Sequence, residues 1–259
     1  MKRLYKATMY RMFMSKGVRV SVGLTYLSAA LYYILSVCIA KGNIDASNSG
    51  SITAFGDGMI LWLFGALIVG ILVGTDFESK TIHGSLRYGR KAIILNYILV
   101  FATMILILLL PYTIGSVCLI ASNVDMSTAN GTIISIYMGN VFDYTNGISG
   151  LILSYIAYIF VYIGQIAICI PVAVKFKKSI VVTAFGFIFG MFTALIATVA
   201  KSSEILELIY KFTPYDYGIS KIGCNASIAD MASGILVSIV FAGICGILAW
   251  LMFRRADVK

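Results

Sequence analysis

Residues 92–124 read AIILNYILVFATMILILLLPYTIGSVCLIASNV, and they contain no Asp, Glu, Lys, Arg or His. Crossing about 30 Å of hydrocarbon takes about 20 mainly apolar residues in a helix. The run is long enough and continuously apolar. It does not alternate with period two, so it reads as a membrane helix and not as barrel strands. Working outward, further runs without charged residues cover 20–40, 58–75, 144–174, 179–200 and 231–253, with Asp57 at the edge of the second run in chain order. The expected fold is an all-α membrane protein of six transmembrane helices. The runs 92–124 and 144–174 exceed a perpendicular crossing, so each is expected to tilt or to end in a loop. Pro111 and Pro171 lie inside them and are expected to kink the helices.

The whole composition agrees. Of 259 residues 60% are hydrophobic and only 12% charged, about half the charge of an ordinary soluble domain. That excludes a disordered chain and weighs heavily against a soluble enzyme. Five cysteines, Cys38, Cys118, Cys169, Cys224 and Cys245, form no CxxC pair and read mainly as small buried hydrophobes.

Charge placement gives the orientation. Sixteen of the twenty Lys and Arg fall in residues 1–19, 76–91, 175–178 and 254–259. The opposite side holds only Lys41, Lys201, Lys211 and Lys221, with eight of the eleven acids. The positive-inside rule therefore places both termini in the cytoplasm. The net charge of +9 reads as a topology signal and not as a nucleic-acid surface. The N-terminal segment lacks a cleavage pattern and is expected to stay. Residues 1–19 form a cytoplasmic interface helix in this reading, with Tyr5, Met9, Met12 and Phe13 toward lipid.

What the runs lack narrows the function. They contain essentially no ionisable group, the usual device of proton-coupled carriers, pumps and voltage sensors. The single histidine, His83, lies in a loop, and no HExxH occurs. A catalytic role, a metal site and a cofactor are not expected. No GxxxxGK[ST] phosphate loop is present, so energy for uphill transport would come from another subunit.

Of the cytoplasmic stretches, 76–91 (DFESKTIHGSLRYGRK) is long and patterned enough to dock such a subunit. Asp76 reads as a helix N-cap, and Glu78 favours the positive end of the helix that follows. Ile82, Leu86 and Gly89 share one narrow face. Gly89 is a natural C-terminal stop, with Arg90 and Lys91 anchoring the next span. An ordinary amphipathic connector fits the same pattern.

The residues Asp76, Phe77, Glu78, Thr81 and Ile82, followed by Leu86, Gly89 and Arg90, resemble the stretch of bacterial ABC-2-type ABC transporter permeases that runs from a Glu through Thr-Ile to a Leu, a Gly and an Arg, with two residues between Glu78 and Thr81 here. The resemblance extends along the chain: a basic interface helix, six spans and a longer external segment, 201–230. It implies one transmembrane permease domain over 1–259 with a coupling helix in the 76–91 loop. The implied partners are a cytoplasmic ABC ATPase subunit, which binds ATP and Mg, and a second permease copy (homodimer) or a sister permease. Short external helices between spans five and six are implied as well. Ile205, Leu208, Ile209 and Phe212 fall on one helical face there, Pro214 ends that helix, and Pro214-Tyr215 resembles the family's Pro-aromatic step. Gly70-x-x-x-Gly74 and Gly186-x-x-x-Gly190 allow close helix approach, within one subunit or between two.

The expected function is the permease subunit of an ATP-driven exporter in a bacterial plasma membrane. By analogy, its substrate is a hydrophobic or amphipathic peptide, antimicrobial or toxin-like, or a similar amphiphile. The alternatives are a membrane channel or facilitator without ATP, the substrate-binding membrane component of an importer, and an assembly or sensor subunit.

The topology has a direct test. Cys224 is expected to be the one cysteine near the outer aqueous face, so a membrane-impermeant maleimide should label intact cells and Cys224→Ser should abolish the label. Labelling that survives this change refutes the span assignment.

Overall fold

The computed structural model describes residues 2–40, 43, 51–53, 59–121, 133–135, 147–200, 202–220 and 227–255. Cys224, Lys259 and the outer-side charges Lys41, Asp45, Asp57, Asp125, Asp143, Lys201 and Lys221 lie outside them.

The described residues are almost entirely helical. The helices are α1 (Lys2–Met14), α2 (Lys16–Ala40), α3 (Met59–Val69), α4 (Thr75–Glu78), α5 (Ile82–Leu86), α6 (Arg90–Ala121), α7 (Gly147–Ile166), α8 (Cys169–Phe176), α9 (Ser179–Ala200), α10 (Glu204–Lys211), α11 (Pro214–Ser220) and α12 (Ile228–Arg255). A π-helical turn, Gly70–Gly74, joins α3 to α4. The exception is a parallel pairing of two three-residue strands, β1 (Ser51–Thr53) with β2 (Ile133–Ser135), in the register Ser51 to Ile133.

Four helical stretches are long and apolar enough to cross a membrane: Lys16–Leu35, Arg90–Gly115, Tyr155–Phe176 and Ile228–Arg254. The surface explains how so apolar a chain stays folded. Leu24, Leu27, Leu31, Leu99, Ile188, Leu195, Leu236 and Ile247 all point outward, an arrangement suited to lipid and not to water. The inner surface is a continuous apolar core. Val100, Phe101, Met104 and Ile105 of α6, Ala157, Val161 and Tyr162 of α7 and Phe253 of α12 all belong to it.

The prolines act as the sequence implied in one case. The fourth apolar run breaks at Ala167 and Ile168, between α7 and α8, and Pro171 follows the break. Its missing N–H is the one that would have bonded the Ala167 carbonyl. Ile170 bonds that carbonyl instead, at 3.0 Å. Pro111, by contrast, sits inside the unbroken helix α6.

The two small-residue pairs form a single seam within the chain. The helical stretch through α3 and the π turn packs along α9. A Cβ on Gly70 would lie 2.7 Å from the Ser179 carbonyl oxygen, and one on Gly74 would lie 2.6 Å from the Ser179 nitrogen. On the facing helix, a Cβ on Gly186 would run into Ala66, and one on Gly190 would lie 2.6 Å from the Trp62 ring. With no side chains between them, the two backbones approach closely enough for dispersion to hold them where lipid supplies no hydrophobic drive. The wider π turn lies on this contact, with the Thr75 N–H reaching back to the Gly70 carbonyl.

The expected lipid face of α1 is rotated. Leu4, Thr8 and Met12 are buried, Tyr5 and Met9 pack against the core, and Tyr10, Phe13 and Met14 are exposed. Met12, expected toward lipid, is 1% exposed. The buried stripe includes Thr8, whose hydroxyl is satisfied by the Leu4 carbonyl at 2.9 Å. A count of apolar residues misses such a stripe.

Gly74→Val should therefore destabilise the purified protein by about 1–3 kcal/mol, the usual cost of forcing atoms into a packed contact. Gly84→Ala meets open space and should be near neutral. Thermal unfolding in detergent measures both, and equal melting temperatures for the two variants would contradict the seam.

Candidate functional site

The segment after α4 is held by the carboxylate that precedes it. Asp76 is 3% exposed. It does not act as an N-cap, because the helix runs through it unbroken from the π turn. Its carboxylate instead gathers donors from three other parts of the chain. Arg11 of α1 makes a two-pronged ion pair with it, the Nη2–Oδ2 distance being 2.9 Å. Thr81 donates to Oδ1 at 2.6 Å, and the Tyr97 hydroxyl of α6 donates to Oδ2 at 2.8 Å. Arg11 also reaches the Thr81 hydroxyl and the Leu72 carbonyl, each at 3.3 Å. These donors fill the roughly four acceptor positions of a carboxylate, which is the condition for keeping one out of water. Burial lowers the Arg11 pKa, yet guanidinium stays charged at any physiological pH.

Glu78 is committed within the chain too. Its Oε1 accepts the Ser179 N–H at 2.8 Å, placing a negative charge on the N-terminus of α9 where the helix dipole favours it. Phe77 packs edge-on against Phe253 of α12 at 5.8 Å, and the Lys177 ammonium lies 5.6 Å from its centre. Lys177 has φ +57°, a left-handed stop to α8. The loop 177–178 thus closes directly onto Phe77 and Glu78.

Within the loop itself, Ile82 is 1% exposed and Leu86 packs against the core. Both lie on the narrow face of the stretch expected to dock another subunit. They hold α5 onto this chain instead, because a five-residue helix has too few bonds of its own to stand free. Gly89 has φ +86° and ends the loop, as expected of a glycine there. Arg90 lies over the Phe253 ring at 5.6 Å and bonds the Arg254 carbonyl. The outward face left by these commitments includes Lys80, His83, Arg87 and Tyr88.

The opposite end has a second cluster. Tyr215 of α11 stacks on Trp62 at 6.1 Å and meets Phe189 at 5.6 Å and Phe241 at 5.8 Å, both nearly edge-on. Its hydroxyl donates to the Gln165 carbonyl at 2.9 Å, and the Gln165 amide donates to the Pro214 carbonyl at 3.1 Å. Gln165 is 6% exposed, so α11 is tied into the bundle and not merely laid on it. Pro214 opens α11, after α10 has stopped. Along α10 and its C-terminal end, Ile205, Leu208, Ile209 and Phe212 are between 58 and 71% exposed. Between α9 and α10–α11 lies an apolar cavity of about 430 Å³, lined by Phe189, Thr193, Ile196, Leu206, Ile209 and Tyr215 among others. The Thr193 and Tyr215 hydroxyls are turned to backbone carbonyls.

Compared with known proteins, the chain matches no protein-family model, no curated protein and no solved structure.

Sequence reasoning missed Arg11, Tyr97, Ser179 and Gln165. Arg11 and Asp76 stand 65 positions apart, beyond any local pattern. One signal was legible: Asp76 and Glu78 are the acids of an otherwise basic stretch, and an acid kept there needs partners.

Arg11→Met should strand the buried carboxylate and cost about 3–5 kcal/mol, whereas Asp76→Asn should cost about 1–2 kcal/mol because the partly exposed Arg11 can turn to water. The double variant should recover part of the Arg11→Met loss. Chemical unfolding of the four proteins checks this, and strictly additive losses would show that the pair is not coupled.

Proposed function

We propose that the chain is the membrane-spanning permease subunit of an ATP-driven ABC exporter, with six spans, both termini in the cytoplasm of a bacterial cell, and export of hydrophobic or amphipathic substrates. The observation that carries the reading is the attachment of the 79–89 loop. Asp76 binds its start to the interface helix and to α6, Glu78 binds it to the head of α9, and Arg90 binds its end to α12. A load on this loop therefore bears on four helices at once, which is what a coupling element requires.

Two further features support it. The stretch 59–78 is helical throughout and α9 has 22 residues, so each is long enough to be the additional pair of spans. The external α11 plugs the bundle through Tyr215, and the apolar cavity beside it suits a greasy chain or side chain more than an ion. Pairing with a second permease copy or a sister permease, and with a cytoplasmic ATPase that holds ATP and Mg, belongs to the same proposal.

On this proposal the ATPase meets residues other than the apolar face of 76–91. With Ile82 turned inward, docking falls to Lys80, His83, Arg87 and Tyr88, a basic face with one aromatic. The partner cleft should be acidic.

The test is affinity purification of the full chain from its own cells, followed by ATP hydrolysis and substrate uptake into inverted vesicles. The wild type should bring down an ABC ATPase and couple hydrolysis to uptake. Lys80→Glu with Arg87→Glu should reduce recovered ATPase at least tenfold while leaving the melting temperature unchanged. A wild-type chain that carries no ATPase and supports flux without ATP would instead establish the channel or facilitator reading.

A further inference from the structure

A groove of about 340 Å³ runs between α1 and α6, lined by Lys2, Tyr5, Asn96, Leu99 and Thr103. Asn96 is 2% exposed. Its Nδ2 donates to the Thr8 hydroxyl oxygen at 3.0 Å. The Thr8 proton already goes to the Leu4 carbonyl at 2.9 Å, so toward Asn96 that oxygen only accepts. With the amide in this orientation, Asn96 Oδ1 is a buried acceptor with no partner. A buried amide oxygen without a donor is costly, so the groove calls for an occupant that supplies one.

The surroundings specify that occupant further. Lys2 is exposed and lines the same groove, providing a cation. The Tyr5 and Thr103 hydroxyls bond each other across it at 2.8 Å. Asn96 lies six residues from Arg90, about 9 Å along α6 from its basic end. From Leu99 the groove opens onto an outward stripe of α6, where Leu95, Leu99, Leu106 and Leu110 are 44–50% exposed. A cation, a hydrogen-bond acceptor and an apolar track thus succeed one another at the depth of a headgroup.

We propose that this groove binds a glycerophospholipid of the leaflet that α1 lies on, and selects a headgroup that donates a hydrogen bond. The phosphate sits against Lys2, an ethanolamine N–H or glycerol hydroxyl donates to Asn96 Oδ1, and an acyl chain follows the leucine stripe. Phosphatidylcholine has the same phosphate but no donor, so it leaves Asn96 unpaired. The inference needs the chain to lie in a membrane and is independent of the transport reading.

The experiment is native mass spectrometry and thermal unfolding of the delipidated full chain with short-chain phosphatidylethanolamine, phosphatidylglycerol and phosphatidylcholine, and with glycerol 3-phosphate. The two donor lipids should bind about tenfold more tightly than phosphatidylcholine, and glycerol 3-phosphate should not bind. Asn96→Leu should erase the difference between ethanolamine and choline lipids. Lys2→Ala should weaken all three lipids while keeping that difference. If Asn96→Leu does not fold, Leu99→Trp, which fills the groove from an exposed position, should abolish binding of every lipid. Equal binding of ethanolamine and choline lipids overturns the proposal, as does selectivity that survives Asn96→Leu. Binding of glycerol 3-phosphate as tight as that of the lipids would make this a soluble-phosphate site and also refute it.

Discussion

A carboxylate that cannot reach water organises the basic end of this protein. Asp76 is buried, and a charge in that position is tolerable only with its acceptor sites filled. Arg11, Thr81 and Tyr97 fill them, and each comes from a different part of the chain. Helix α1, the loop and α6 therefore cannot adopt independent positions. An apolar triad of the same volume would hold as well or better, but it would not fix which residues meet. The value of the arrangement lies in its register.

Close backbone packing extends that register across the bundle. The glycines at 70, 74, 186 and 190 let the stretch through α3 and the π turn lie directly on α9, and Glu78 closes the seam on the first N–H of α9. The loop 177–178 is caught in the same corner, since Lys177 covers Phe77. Two basic loops far apart in sequence thus form one surface. Under the exporter reading a partner pressing on one of them presses on both, and α9 carries the load toward α10 and the apolar cavity.

The far end uses different chemistry. Tyr215 is fixed by rings from three other elements and by one hydrogen bond to the α7 backbone. Ring contacts tolerate sliding better than a charged network does. A charged network thus holds one end of the bundle and a cluster of rings holds the other.

The apolar runs were legible because crossing lipid imposes one unmistakable rule, about 20 residues without charge, and four stretches meet it directly. The amphipathic stripe of α10 was legible from its helical spacing, and the stop at Gly89 from glycine's freedom at positive φ. The tertiary structure alone decided where the polar groups of 76–91 go. Asp76 reads locally as a cap, yet it is a hub. Ile82 reads as part of a docking face, yet it is buried in its own chain. Glu78 reads as favouring the positive end of a following helix, yet the N–H it accepts is 101 positions away. The physical reason is common to all three. A membrane span is specified by a local solvent, which composition reports, whereas a buried polar group is specified by whichever donors the fold brings within 3 Å. No local spacing encodes partners 65 or 101 residues apart.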